Sequence, residues 1–186
     1  MTSAERRVND VPAEELRAAE NKDVHTLKPM VWFVRHAAVE LDFATPASTW
    51  QLTDDGRAEA EAIAVRLAPV RRVLSSPEAK AIGTAEPLAA RSGVEIEVDA
   101  RLREVAREPN LPDYAAHRDS VRRYLEGEPV EGWEPAGDAR ARFAAALEGL
   151  DDAAVVTHAT VLSLFLGYGF EEWGRIALPD VIEWRP

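Results

Sequence analysis

Two short apolar runs, VWFV at 31–34 and AAVV at 153–156, each stop at a polar pair containing histidine: Arg35-His36 after the first and Thr157-His158 after the second. Neither run alternates with polar residues, so neither suits a strand with one face in water. Continuous β-branched and aromatic runs of this length read as strands buried on both faces, the kind found inside a mostly parallel sheet. Parallel neighbours need long crossover connections, usually helical. That requirement constrains the rest of the chain.

The intervening segments have the pattern such a sheet demands. LTDDGRAEAEAIAVRLAPV reads as a helix capped by Thr53, with Ala60, Ile63, Ala64 and Leu67 at helical spacing and Pro69 ending it. VRRVLSS reads as a second buried strand. Pro77 then opens a helix in which Ala81, Ala85, Leu88 and Ala89 share one face. VEIEVD alternates strictly, placing Val94, Ile96 and Val98 on one side of a half-exposed edge strand. Residues 103–136 carry Pro109, Pro112, Pro129 and Pro135 and hold one helix near 113–126. A further helix is defined by Phe143, Ala146, Leu147 and Leu150, another by VLSLFLG after the AAVVTH strand, and DVIEWR reads as a last strand. Strands alternating with helices predict an α/β fold, a three-layer sandwich with a mostly parallel central sheet flanked by helices.

We read residues 29–186 as one catalytic domain and residues 1–28 as a polar extension. Asp10 can cap a short helix through PAEELRAAE in that extension, with Pro12 in its first turn. The 186 residues include no cysteine, which removes a disulfide framework, a thiolate metal site and a cysteine nucleophile. A cytoplasmic location is expected. The first residues lack the apolar core of a secretory signal, and no stretch approaches a membrane span. A formal net charge of −11 argues against nucleic acid as a partner. A small anion can bind only where a few cations converge.

The predicted strand ends supply such a place, because sites in these sheets form at the carboxyl ends of the strands. Only four histidines occur, His25, His36, His117 and His158, and two follow the two most apolar strands. Ser75 and Ser76 end the VRRVL strand, with Lys80 one turn into the next helix, and Arg103 and Glu104 follow the edge strand. Arg35, His36, Lys80 and His158 with one carboxylate suit a phosphoryl group: imidazole is a competent nucleophile toward phosphorus, and a carboxylic acid can protonate the leaving oxygen. Nucleotide-binding glycine loops, HExxH and GxSxG are missing.

In this order the motifs resemble the histidine phosphatase superfamily, also called phosphoglycerate mutase-like, over about residues 30–166. FVRHAAVE is similar to its Arg-His-Gly motif, QLTDDGRAEAEAIAVRL to its Leu-Thr-x-x-Gly helix start, VLSSPEAKAIGTAEPLA to its Ser-Ser-Pro motif, LREV to its Leu-Arg-Glu segment, and VVTHATVLSLFL to its second histidine motif. The resemblance implies that His36 becomes phosphohistidine and that Arg35 and His158 bind phosphoryl oxygens. It implies that Glu104 is general acid and then base, and that Ser76 and Lys80 lie at the substrate site. Neither metal nor cofactor is implied. Ala37 and Ala159 stand where the family usually has glycine, and Lys80 where it has arginine. The residues after Glu104 also depart from the family, which leaves Glu108 as a second candidate acid.

The expected activity is that of a phosphoric monoester hydrolase of the histidine acid phosphatase type, acting on a small phosphorylated metabolite and able to bind inorganic phosphate. His158 follows Glu104 by 54 positions (158 − 104). This leaves little room for the larger insertion of the family's mutases, which excludes water from the phosphoenzyme. A mutase-type phosphotransferase and a non-catalytic phospho-ligand-binding module are the alternatives. Specificity is expected from the loop at 39–50 and from 105–136, where Phe43, Trp50, Arg107, Tyr114 and Trp133 are candidates for the pocket mouth. A homodimer is left open.

Overall fold

The computed structural model describes residues 6–7, 30–67, 69–108 and 112–185. The short helix expected through residues 12–20 lies outside them. The central sheet has six strands: β1 (Arg6–Arg7), β2 (Val31–Arg35), β3 (Arg72–Ser75), β4 (Ile96–Val98), β5 (Ala153–Thr157) and β6 (Asp180–Trp184). Their order is β1-β6-β2-β5-β3-β4. The pairs β2·β5, β5·β3 and β3·β4 are parallel, whereas β6 runs antiparallel to β2 and to β1.

The helices are α1 (Asp54–Arg66), α2 (Ala79–Ser92), α3 (Tyr114–Leu125), α4 (Ala136–Ala146), α5 (Ala159–Leu166) and α6 (Phe170–Arg175). Side chains alternate across the central strands, so each strand feeds two cores. Phe33, Leu74 and Val155 join Phe143 of α4 and Leu162 of α5 on one face. Val34, Val73 and Val156 join Ile63 of α1 and Ala81, Ala85 and Leu88 of α2 on the other. This is the three-layer arrangement predicted from the uninterrupted apolar runs. Among the described residues no helix is long and apolar enough to cross a membrane.

Two local expectations are corrected. The edge strand β4 is only three residues long and pairs with β3 alone, and Val98 at its end is 58% exposed instead of sharing a covered side with Ile96. The helix read around Phe143 begins at Ala136 and stops at Ala146, while Leu147 and Leu150 stay buried in the turn that leads into β5.

Gly56 has a steric reason to be glycine. Thr53 caps α1 by accepting from Gly56 N, and Thr53 N donates 3.1 Å to Ala38 O, two residues past His36. A Cβ on Gly56 would stand 2.2 Å from that Ala38 oxygen. The backbone at both points is held by hydrogen bonds, so the clash cannot relax cheaply. Gly56→Ala is expected to lower stability by about 2 kcal/mol, typical of overpacking a tight site. An unchanged denaturant midpoint for this variant would show that the helix start moves freely.

Candidate active site

The register of β2 against β5 sets Arg35 beside Thr157, so the next residues, His36 and His158, leave the sheet at the same level. His36 N donates 3.0 Å to Thr157 O. The two imidazole centroids are 5.2 Å apart. Strand β3 adds Ser76, whose N donates 3.0 Å to Val156 O. The ends of β2 and β5 open on one cavity of about 320 Å³, which Lys80 of α2 also lines, whereas Ser76, expected at the substrate site, is fully buried and stands behind His158 instead of lining the cavity.

His36 is 8% exposed, and its Nδ1 lies 2.9 Å from Ala37 O. A carbonyl can only accept, so Nδ1 carries the proton and Nε2 keeps its lone pair. Burial pushes the His36 pKa well below the usual imidazole range, and the nearby His158, Lys80 and Arg35 push it the same way. His158 is also lowered well below that range, by burial first and then by Lys80, Arg107, Arg35 and Arg142. Both rings are therefore uncharged at neutral pH. His158 Nε2 lies 2.8 Å from Ser76 Oγ and 3.3 Å from Glu78 Oε1, and its Nδ1 has no partner.

The cations are arranged unequally. Lys80 is 5% exposed, and its Nζ donates 2.6 Å to Ala47 O and pairs at 2.5 Å with Glu78 Oε2. Arg35 lines the cavity and donates through Nη1 to Ile176 O, while its buried Nε has no partner. Burial lowers the Arg35 pKa, against the opposing fields of Glu104, Tyr114 and Asp180.

Glu104 also lines the cavity, at the start of α5. Its Oε1 accepts from Val105 N and Val161 N, each at 2.9 Å, and its Oε2 accepts from Thr160 N at 3.1 Å. The carboxylate thus satisfies N–H groups in the first turn of α5, where the helix dipole favours negative charge. Oε2, with one donor, retains capacity for a proton. Glu108 is exposed and lines an adjoining outer groove, away from the histidines. His25 lies outside the described residues.

Two residues missed in the sequence organise this site. Glu78 is 9% exposed and joins Lys80, His158 and, through Oε1 at 2.8 Å, the backbone N of Glu104. An acid two positions before a strand-end lysine was the available signal. Arg142 on α4 donates to the carbonyls of Arg101, Arg103 and Glu104 and pairs with Glu134 at 2.7 Å. It thereby ties down the loop that presents Glu104. Replacing Arg142 with leucine orphans these acceptors, and stability is expected to fall by about 3 kcal/mol, as when a buried ion pair loses one partner. Chemical denaturation measures it; a loss within error would mean the loop holds itself.

The aromatic candidates divide. Phe43, Trp50 and Tyr114 line the cavity, together with His117 and Trp173, which the sequence did not single out for it. Trp133 lies behind the wall, with its ring stacked on His117 and 5.7 Å from the Arg107 guanidinium. Burial lowers the His117 pKa to about 3, assisted by Arg107 and Arg35.

The sequence model of the Histidine phosphatase superfamily (branch 1) matches residues 31–181. The chain belongs to the histidine phosphatase superfamily. Its fold is that of solved structures at low sequence identity. It matches the native mycobacterial glucosyl-3-phosphoglycerate phosphatase with a TM-score of 0.61 at 20% identity, over 81% of this chain and 85% of the other. For Bacillus stearothermophilus YhfR the values are 0.64 and 19%, over 78% and 84%. For a phosphoserine phosphatase mutant from Entamoeba histolytica in complex with phosphoserine they are 0.62 and 16%, over 80% and 85%. No curated protein matches the chain in sequence.

The two alanines of this superfamily member are accommodated without backbone strain, because among the described residues only Asp152 has positive φ outside glycine. Ala37 is fully buried and packs with Leu52 and Ala60, so its methyl does not narrow the cavity. Ala159 does face the cavity.

Proposed function

We propose that the chain is a metal-independent phosphomonoesterase that works through a phosphohistidine on His36. The observation that carries this reading is the His36 ring itself: buried, uncharged, and held by Ala37 O so that Nε2 presents a lone pair beside His158, with Arg35 and Lys80 in the same cavity. Nε2 attacks phosphorus as the bond to the leaving oxygen breaks. Arg35, Lys80 and the unpartnered Nδ1 of His158 meet the phosphoryl oxygens. Glu104 acts as the general acid, delivering a proton through Oε2 to the leaving oxygen. The resulting carboxylate takes a proton from water, which attacks phosphorus, breaks the P–N bond and releases phosphate. Glu78 holds Lys80 in place and anchors the Glu104 backbone, so it supports both cation and acid.

The Glu78–Lys80 pair also favours a second reading, a phosphate-binding module without turnover, because a lysine engaged by a carboxylate clamps phosphate less well than a free arginine. Hydrolysis of p-nitrophenyl phosphate in EDTA, across acidic to neutral pH, separates the two. Turnover with an acid-labile, base-stable phosphoenzyme supports the hydrolase. Phosphate binding without turnover selects the module.

A further inference from the structure

The cavity contains a cation that the phosphoryl chemistry does not use. Arg107 lines the same cavity as His36, His158 and Glu104 and also the outer groove beyond Glu104. Neighbouring cations are paired: Arg103 and Arg142 with Glu134, Lys80 with Glu78. Arg107 has no ion pair or hydrogen bond among the described residues, and its Nη1 is buried without a partner. In a chain of net charge −11, an unpaired guanidinium facing a cavity is a costly placement unless an anion completes it.

The guanidinium is also held in place. Its carbon lies over the Trp133 ring at 5.7 Å, and a backbone bridge joins Arg107 to Trp133. Gly132 makes that approach possible: at φ +74°, a Cβ there would meet Glu108 O at 1.7 Å. The field of Arg107 lowers both His117 and His158, so its charge is felt at both histidines of this cavity. The same cavity is lined by apolar and aromatic side chains, among them Leu41, Phe43, Trp50, Tyr114 and Trp173.

We propose that Arg107, stacked on Trp133, forms a second anion subsite. The substrate would then be a phosphomonoester whose organic part is partly apolar and carries a further anionic group, a carboxylate or a second phosphoryl. This rests on the phosphoryl site proposed above. A planar fork preset by stacking suits bidentate capture of either oxyanion.

Non-hydrolysable ligands test it by titration calorimetry: phenylphosphonate against 3- and 4-carboxyphenylphosphonate, with 3- and 4-phosphonophenylphosphonate to distinguish the two anions. At least one doubly anionic ligand is expected to bind roughly tenfold or more tightly than phenylphosphonate, the worth of one charge-assisted hydrogen-bond pair. Arg107→Gln should bring that ratio close to one, and Arg107→Lys should restore part of it, with melting curves confirming that both variants fold. A ratio near one in the wild type, or one that survives Arg107→Gln, overturns the subsite. Because these ligands are not turned over, a silent p-nitrophenyl phosphate assay would overturn the hydrolase and leave the subsite standing. Failure of every ligand to bind would overturn both.

Discussion

His36→Asn is expected to abolish turnover of p-nitrophenyl phosphate, by roughly 10⁴-fold or more, as when a covalent nucleophile is removed from a set of residues that act as a unit. Asparagine is the informative substitution because its amide can still donate to Ala37 O, as Nδ1 does at 2.9 Å, while offering nothing at the Nε2 position. The buried volume is nearly kept, so the melting temperature should stay within about 3 °C, equivalent to about 1 kcal/mol for a domain of this size. The phosphoenzyme should vanish with turnover. Retention of activity within tenfold would remove His36 as nucleophile.

Acid should destabilise this fold unusually early. His36, His158 and His117 all have folded-state pKa values depressed below the usual imidazole value, each chiefly by burial. The unfolded chain takes up these protons near pH 6.5 and the folded chain does not, so stability is complete above that pH and is lost as pH falls. While its folded ring stays neutral, His117 costs about 1.4 kcal/mol per pH unit, or about 2 kcal/mol at pH 5, and His36 and His158 act in the same direction. For His117 the window runs from about pH 6.5 down to about 3. The cations near these rings, Lys80, Arg35, Arg107 and Arg142, oppose protonation, while Glu78, whose Oε1 lies 3.3 Å from His158 Nε2, favours it at that ring alone. Urea midpoints at pH 7 and pH 5 measure the loss. His117→Phe, which keeps the stacking on Trp133, should recover about 2 kcal/mol of it. A flat profile between these pH values would mean that the rings protonate in place. The same depression keeps His36 unprotonated in mild acid, so the acid limb of activity should lie below pH 6.5.

Much of the site was legible because it is built on strand ends. Apolar runs of four residues announced β2 and β5, their parallel pairing followed from the helical crossovers, and the register then had to bring Arg35-His36 beside Thr157-His158. The Leu-Thr-x-x-Gly start of α1 was legible as a cap, although its steric reason was not. Gly56 is needed because of Ala38, 18 residues earlier in the chain (56 − 38), and no local pattern reports that contact. Ala37 stands where the family usually has glycine, and that its methyl packs with Leu52 and Ala60 and not in the cavity is a matter of side-chain direction that no local pattern reports.

The sequence by itself determined the elements apart from β1 and α6, the two-faced strands and the residues gathered at their ends. Hydrophobic period, caps and proline breaks act over a few neighbouring positions, so they survive in a one-dimensional reading. Only the tertiary structure decided how charge is distributed among those residues. Ser76 meets His158 across 82 positions, Glu78 meets the Glu104 backbone across 26, and Arg142 holds the Glu104 carbonyl across 38. Electrostatic fields and hydrogen bonds depend on distances in space, and those distances exist only after β2, β3 and β5 lie side by side. For the same reason Lys80 is engaged by a carboxylate and Arg107 is left unpaired, although in the sequence they look alike.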